Sequence, residues 1–203
     1  MLSPYLVAAE KRINETIVNR SRFICYLSPC QSNDEAKTFL KSIQQLHPNA
    51  SHHCYAFVSA HPLNSQCYGF SDDGEPSGTA GKPMLMALQG SDIGEVCAVV
   101  VRYFGGTKLG TGGLQRAYGG SVREALALLL TKTKIPMVHK RLTCHYTDIN
   151  DVLHLLEKFE GKVISNDYQV EITLEMALPV EAIEQFNSQI LTLSAGRLLL
   201  QDT

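Results

Sequence analysis

Apolar positions along this chain change their spacing in a regular way, and each change marks an element. The run Val96-Cys-Ala-Val-Val-Val101 is continuous, as in a strand buried on both faces, and predicts a strand over Val96–Phe104. Two shorter strands, Glu15–Val18 and Arg22–Leu27, flank Asn19-Arg20 as a hairpin-like pair. A period near 3.6 then takes over. Ala36, Phe39, Leu40, Ile43 and Leu46 follow Ser32-Asn-Asp-Glu35, a capping-box pattern that opens a helix. His47-Pro48 closes it, because proline pushes the residue before it out of the helical region. Cys54–Ala60 and Ser65–Phe70 read as strands, Pro83–Gln89 as a short helix, and Leu114 to about Leu130 as a longer one.

The polar, proline-ended stretch Thr131-Lys-Thr-Lys-Ile-Pro136 predicts a linker, with one domain over 1–135 and a second over 136–203. After it the pattern restarts. Leu142, Cys144 and Tyr146 alternate as a strand, and Asn150–Phe159 is a helix ended by Gly161. Val163–Ser165 and Val170–Leu178 form a hairpin around Asn166-Asp167, with Val170, Ile172, Leu174, Met176 and Leu178 on one face. Pro179 starts a second helix, Gly196 ends it, and Arg197–Gln201 is a last strand. The order β-α-β-β-α-β is that of the ferredoxin-like split unit, so the fold class is α+β.

Composition narrows the setting. The chain has 203 residues, 44% hydrophobic and 19% charged, which suits a globular protein of one large or two small cores. No apolar run approaches the roughly 20 residues that span a bilayer, so no membrane partner is expected. The N-terminus lacks a basic start followed by a long apolar stretch, and no secretory signal is expected. Six cysteines without a CxxC pair read as reduced, buried thiols of a cytoplasmic protein. The net charge of −2 hides an asymmetry. Residues 1–135 carry 13 basic against 10 acidic side chains, and residues 136–203 carry 5 against 10. A surplus of three becomes a nucleic-acid signal only where the basic residues cluster on one face.

That directs attention to the glycines. Thirteen of fifteen fall between Gly69 and Gly120, and seven lie in the nineteen residues that begin at Arg102. A buried strand that opens into a glycine-rich loop and then a helix can aim several backbone N–H groups at one anion. Two familiar phosphate loops are excluded by named residues. A P-loop needs glycine five residues before Gly81-Lys82, where Pro76 stands, and Pro83 replaces the metal-binding hydroxyl. The dinucleotide fingerprint from Gly110-Thr-Gly112 needs glycine where Gln115 stands. What remains is a strand–loop–helix with Gly105, Gly106, Gly110, Gly112 and Gly113, surrounded by Arg102, Lys108, Arg116 and Arg123. Arg116 and Arg123 share one helical stripe, with Gly120 between them, while Tyr103, Phe104 and Tyr118 are available for stacking. Two readings stay open: a polyanion-binding surface, or glycines that only let the helix pack closely and the loop turn.

The loop Ser71-Asp-Asp-Gly-Glu75 is a secondary candidate. Asp72 and Asp73 lack EF-hand spacing, and either one pairing with Arg102 or Lys82 would fix the two glycine loops together. His52, His53, Cys54, His61 and Cys67 show neither zinc-finger nor HExxH spacing, and no nucleophile motif is present. No metal, cofactor or catalytic residue is expected.

The run Val99-Val-Val-Arg-Tyr-Phe-Gly-Gly-Thr-Lys-Leu-Gly110 resembles the signature of the IMPACT family, in its bacterial YigZ-like branch. Ser21–Ile24, Ser51–Ala56, Ser71–Pro83 and Gly112–Gly119 agree with it. The resemblance implies a first domain shaped like domain IV of elongation factor G, related to ribosomal-protein folds, followed by the ferredoxin-like domain. Such folds meet RNA on the ribosome, so RNA or the ribosome is the implied partner, with a translation-related protein as another. The reading is a non-enzymatic, translation-associated regulator. A phosphate- or metal-dependent enzyme with a phosphorylated small molecule on the glycine loop and Asp72 and Asp73 holding a metal is one alternative, and a protein-interaction module built on the acidic second domain is another.

Overall fold

The apolar run at 96–101 is buried on both sides because it forms the middle of a sheet. The computed structural model describes residues 3–203 and divides into two units, Tyr5–Lys134 and one containing Ile135–Thr203. The first unit runs β1 (Tyr5–Ala8), β2 (Arg12–Val18), β3 (Ser21–Pro29), α1 (Asn33–Leu46), β4 (His52–Val58) and β5 (Tyr68–Ser71). It continues with α2 (Gly81–Gln89), β6 (Ile93–Gly94), β7 (Val96–Tyr103), α3 (Gly110–Ala127) and β8 (Thr131–Lys134). Its main sheet has the order β2-β3-β7-β4-β5, with every neighbouring pair antiparallel. Val96, Ala98 and Val100 of β7 join a core with Met84 and Leu88 of α2 and Tyr118 and Val122 of α3. Cys97, Val99 and Val101 face the other way, into a core shared with Ala36 and Ile43 of α1. Neither face of β7 meets water, and its sequence accordingly shows no alternation.

Local chemistry sets the element ends. Ser32 Oγ accepts from the Glu35 N–H at 3.1 Å, and the Glu35 carboxylate accepts from the Gln31 N–H at 2.7 Å, which opens α1. Asn19 and Arg20 both take positive φ, 44° and 67°, as the two-residue turn between twisted strands requires. The stretch after α3 differs from expectation. Thr131–Lys134 is not a free linker but β8, antiparallel to β1. Lys134 Nζ donates to the buried Glu95 carboxylate, which also accepts from Tyr5 Oη and Gln31 Nε2. A polar strand reads as linker when its partner lies at the far end of the unit. Likewise α3 begins at Gly110 rather than Leu114, and the segment before β5 is a short 3₁₀ turn over Ser65–Cys67.

On the α1 side, His47 sits between two tyrosines. Its Nδ1 meets Tyr103 Oη at 2.9 Å and its Nε2 meets Tyr26 Oη, while its carbonyl accepts from the His53 ring. Burial, with the neighbouring His53 and Arg22 charges, holds the His47 imidazole below its ordinary value of 6.5. The unfolded chain therefore takes up this proton first as pH falls. Stability from the site is complete above the ordinary value and is lost progressively below it. Urea midpoints at about pH 7.5 and about pH 5 should fall further for the wild type than for His47→Gln. Equal falls would show that His47 takes up its proton over the same pH range in the folded and unfolded chain.

The second unit runs β9 (Met137–Cys144), α4 (Ile149–Lys158), β10 (Lys162–Tyr168), β11 (Ile172–Pro179), α5 (Ile183–Leu193) and β12 (Gln201–Asp202). Its sheet order, β10-β11-β9-β12, is all antiparallel and is that of a ferredoxin-like domain. One face carries Leu142, Ile172, Leu174 and Met176 against Val152 of α4 and Phe186 and Ile190 of α5. The other face is polar, with Arg141 donating to Glu175 at 2.9 Å and Thr143 beside Thr173 at 3.4 Å. Here the expected turn moves. Asn166 and Asp167 pair with Leu174 and Thr173 inside the hairpin, and the chain reverses after Tyr168, leaving Val170 93% exposed. Pro179 is both the last residue of β11 and the cap of a 3₁₀ turn, Val180–Ala182, that runs into α5, so the chain enters its second helix there as expected. The last strand is shorter than expected, Gln201–Asp202.

Candidate nucleic-acid interface

The glycine segment after β7 serves several ends at once. A Cβ on Gly105 would lie 2.0 Å from the Arg20 carbonyl, so only glycine lets the chain pass the β2–β3 turn. Gly106 and Gly110 take φ of 83° and 68°. Gly110, Gly112 and Gly113 form the first turn of α3 rather than a loop. That helix start has neither a side-chain cap nor an acidic residue in its first turn, and Lys108 is exposed just before it. Its leading N–H groups present the positive end of the helix to solvent.

The start of α2 is the opposite case. The Asp72 carboxylate accepts from the N–H groups of Gly78 at 2.8 Å, Ala80 at 3.0 Å and Gly81 at 2.8 Å, and so fills that helix terminus from within. Burial pushes the Asp72 carboxyl up, but the three donors outweigh it and leave it below the usual carboxylate range. Asp73, at φ 44°, turns its carboxylate to the His53 N–H at 2.6 Å. Among the described residues no group of three or more His, Cys, Asp and Glu side chains is placed to hold a metal ion.

Arg102 does not reach the surface. It is 5% exposed, and its guanidinium donates to Glu75 Oε1 at 2.7 Å and Ser21 Oγ at 3.4 Å between the Phe23 and Phe104 rings. Glu75 also accepts from Tyr118 Oη at 2.7 Å. The acidic loop is thus tied to Arg102, but through Glu75. Asp72 is committed to α2 and Asp73 to β4, which leaves Glu75 as the carboxylate facing the sheet. Cys54 lies in the same interior, its thiol pushed up to about 12 by burial, and it is unsuited to nucleophilic work at neutral pH. The stacking candidates also separate. Tyr118 is buried, Tyr103 lies on the α1 side with His47, and Phe104 is half exposed.

The remaining basic residues converge. Lys82 and Pro83 of α2, Arg116 and Arg123 of α3, and the turn at Ser77–Gly78 line a groove of 620 Å³. Seven residues of helix place Arg116 and Arg123 roughly 10 Å apart along one stripe. Gly119 lies at the contact of the two helices: a Cβ there would stand 3.1 Å from Arg123 Nη1 and 3.4 Å from the Pro83 carbonyl. Gly120 is different: a Cβ there would meet nothing within 4 Å. Its cost of about 1 kcal/mol relative to alanine has no compensating contact inside the chain. Sequence reasoning placed Lys82 in the secondary loop and missed Pro83 and Gln115. The available signal was Lys82 directly after Gly81, at the head of a helix.

Fold and groove together define a two-domain α+β protein with a basic cleft in its first domain and a ferredoxin-like second domain. The Impact N-terminal domain matches residues 19–126, and DUF1949, a domain of unknown function, matches residues 142–197. The chain belongs to the IMPACT family. It is 46% identical over 200 residues to an IMPACT family member of Haemophilus influenzae, covering 98% of this chain and 97% of the relative. It is 47% identical over 183 residues to the IMPACT family member YigZ of Escherichia coli, covering 90% of each. A solved structure described only as that of a hypothetical protein matches with a TM-score of 0.73 at 43% identity, over 100% of this chain and 98% of that one. Among the described residues, no helix is long and apolar enough to cross a membrane.

Proposed function

We propose that this protein is a non-enzymatic, translation-associated regulator that binds RNA, free or on the ribosome, through the groove between α2 and α3. The observation that carries this reading is the convergence of Lys82, Arg116 and Arg123 on one cleft lined by no acidic residue among those described. The uncapped start of α3, with Lys108, extends the positive surface. Membership of the IMPACT family fits a translation-related role. The second domain carries 5 basic against 10 acidic side chains over residues 136–203, a balance that repels phosphate. That favours the first domain as the RNA site. Arg102 and Glu75 then act by holding the loop that delivers Lys82, not by touching phosphate.

Ribosome co-sedimentation at two salt concentrations tests the reading. Three phosphate contacts lower the affinity by roughly 20- to 40-fold between about 50 and 200 mM salt. Association that ignores salt, or none at either concentration, would count against it.

A further inference from the structure

We infer that the groove takes an unpaired nucleotide of a single RNA strand, with its phosphate at the cationic end and its base at an apolar end. This rests on the RNA reading above. A second hollow of 490 Å³ continues the first between the same two helices, and the two share Met86 and Arg123. They form one trough with unlike ends. Lys82 and Arg116 line only the first hollow, whereas Ile93, Leu126 and Ala127 line only the second, with Met86 and Arg123 at the junction. No acidic residue among those described lines either part.

An amphipathic trough selects an amphipathic guest. A duplex offers phosphates to the cationic end but keeps its bases stacked inside, so nothing it carries reaches the apolar end. An unpaired nucleotide can splay its base away from its phosphate and fill both ends. Met86, 63% exposed and flexible, adapts its thioether to any base, so the preference is for single strands rather than for a sequence. Close approach of the strand to α3 is open at Gly120, where no side chain stands beside Arg116 and Arg123.

Fluorescence anisotropy with the full chain tests this with three probes: a short unstructured RNA strand, the same sequence as a blunt duplex, and the strand with abasic riboses that keep every phosphate. The single strand should bind about tenfold more tightly than the abasic strand, and the duplex no more tightly than the abasic one. Met86→Ser, an exposed position, should remove most of the gap between the intact and abasic strands. Equal binding of all three probes by the wild type overturns the inference while leaving the RNA reading intact. Absence of binding to any of them overturns both. A nucleoside monophosphate that binds as tightly as the strand overturns the inference and assigns the trough to a free small molecule.

Discussion

Glu75→Ala is expected to destabilise the first unit by about 3–5 kcal/mol, because it leaves the Arg102 guanidinium buried without its counter-charge. Both partners are nearly inaccessible, with Arg102 5% and Glu75 8% exposed, so water cannot substitute for the missing carboxylate. Tyr118 Oη loses its acceptor in the same step, and Arg102 Nε already has no partner. Urea unfolding followed by circular dichroism measures the loss. A change below about 1 kcal/mol would mean that the pair is screened like a surface bridge. The double variant Glu75→Leu/Arg102→Met should recover much of the deficit, since replacing both charges removes the desolvation cost that replacing one exposes. Glu75 also anchors the loop that leads into Lys82, so single variants that still fold should bind RNA more weakly than wild type.

The largest effect on binding is expected from Lys82→Ala/Arg116→Ala/Arg123→Ala. All three side chains are exposed and line the groove, so stability should change by no more than about 0.5 kcal/mol per site. Affinity for single-stranded RNA at low salt should fall by at least about tenfold, and the slope of log affinity against log salt should flatten by about 2, for three lost phosphate contacts. A triple variant with the wild-type slope would move the phosphate contacts elsewhere, the open start of α3 and Lys108 being next in line. In that case Lys108→Ala alone should flatten the slope by about 0.7.

Much of the fold was legible because it rests on local periodicity. The buried run at β7, the capped start of α1 at Ser32 and the β-α-β-β-α-β order of the second domain all follow from neighbouring residues. Errors came where a residue type suits two conformations. Asn166-Asp167 fits a turn or, with a partner strand beside it, a strand. Thr131–Lys134 has no apolar signal at all, and only β1 makes it a strand.

The candidate site divides along the same line. Sequence alone picked the glycine window, its flanking cations and the absence of a phosphate-loop motif, because glycine and charge are properties of single residues. Which way each side chain points depends on the sheet and the helices around it. Arg102 and Tyr103 are adjacent in sequence, yet the pleat sends one to Glu75 and the other to His47. Lys82 and Arg116 are far apart in sequence, yet the packing of α2 on α3 sets them along one groove. By itself the sequence determined a glycine-rich window flanked by cations, and left a polyanion surface and close packing both open. Only tertiary packing decided that these cations centre on the α2–α3 cleft, because burial neutralised Arg102 internally and left the others facing water.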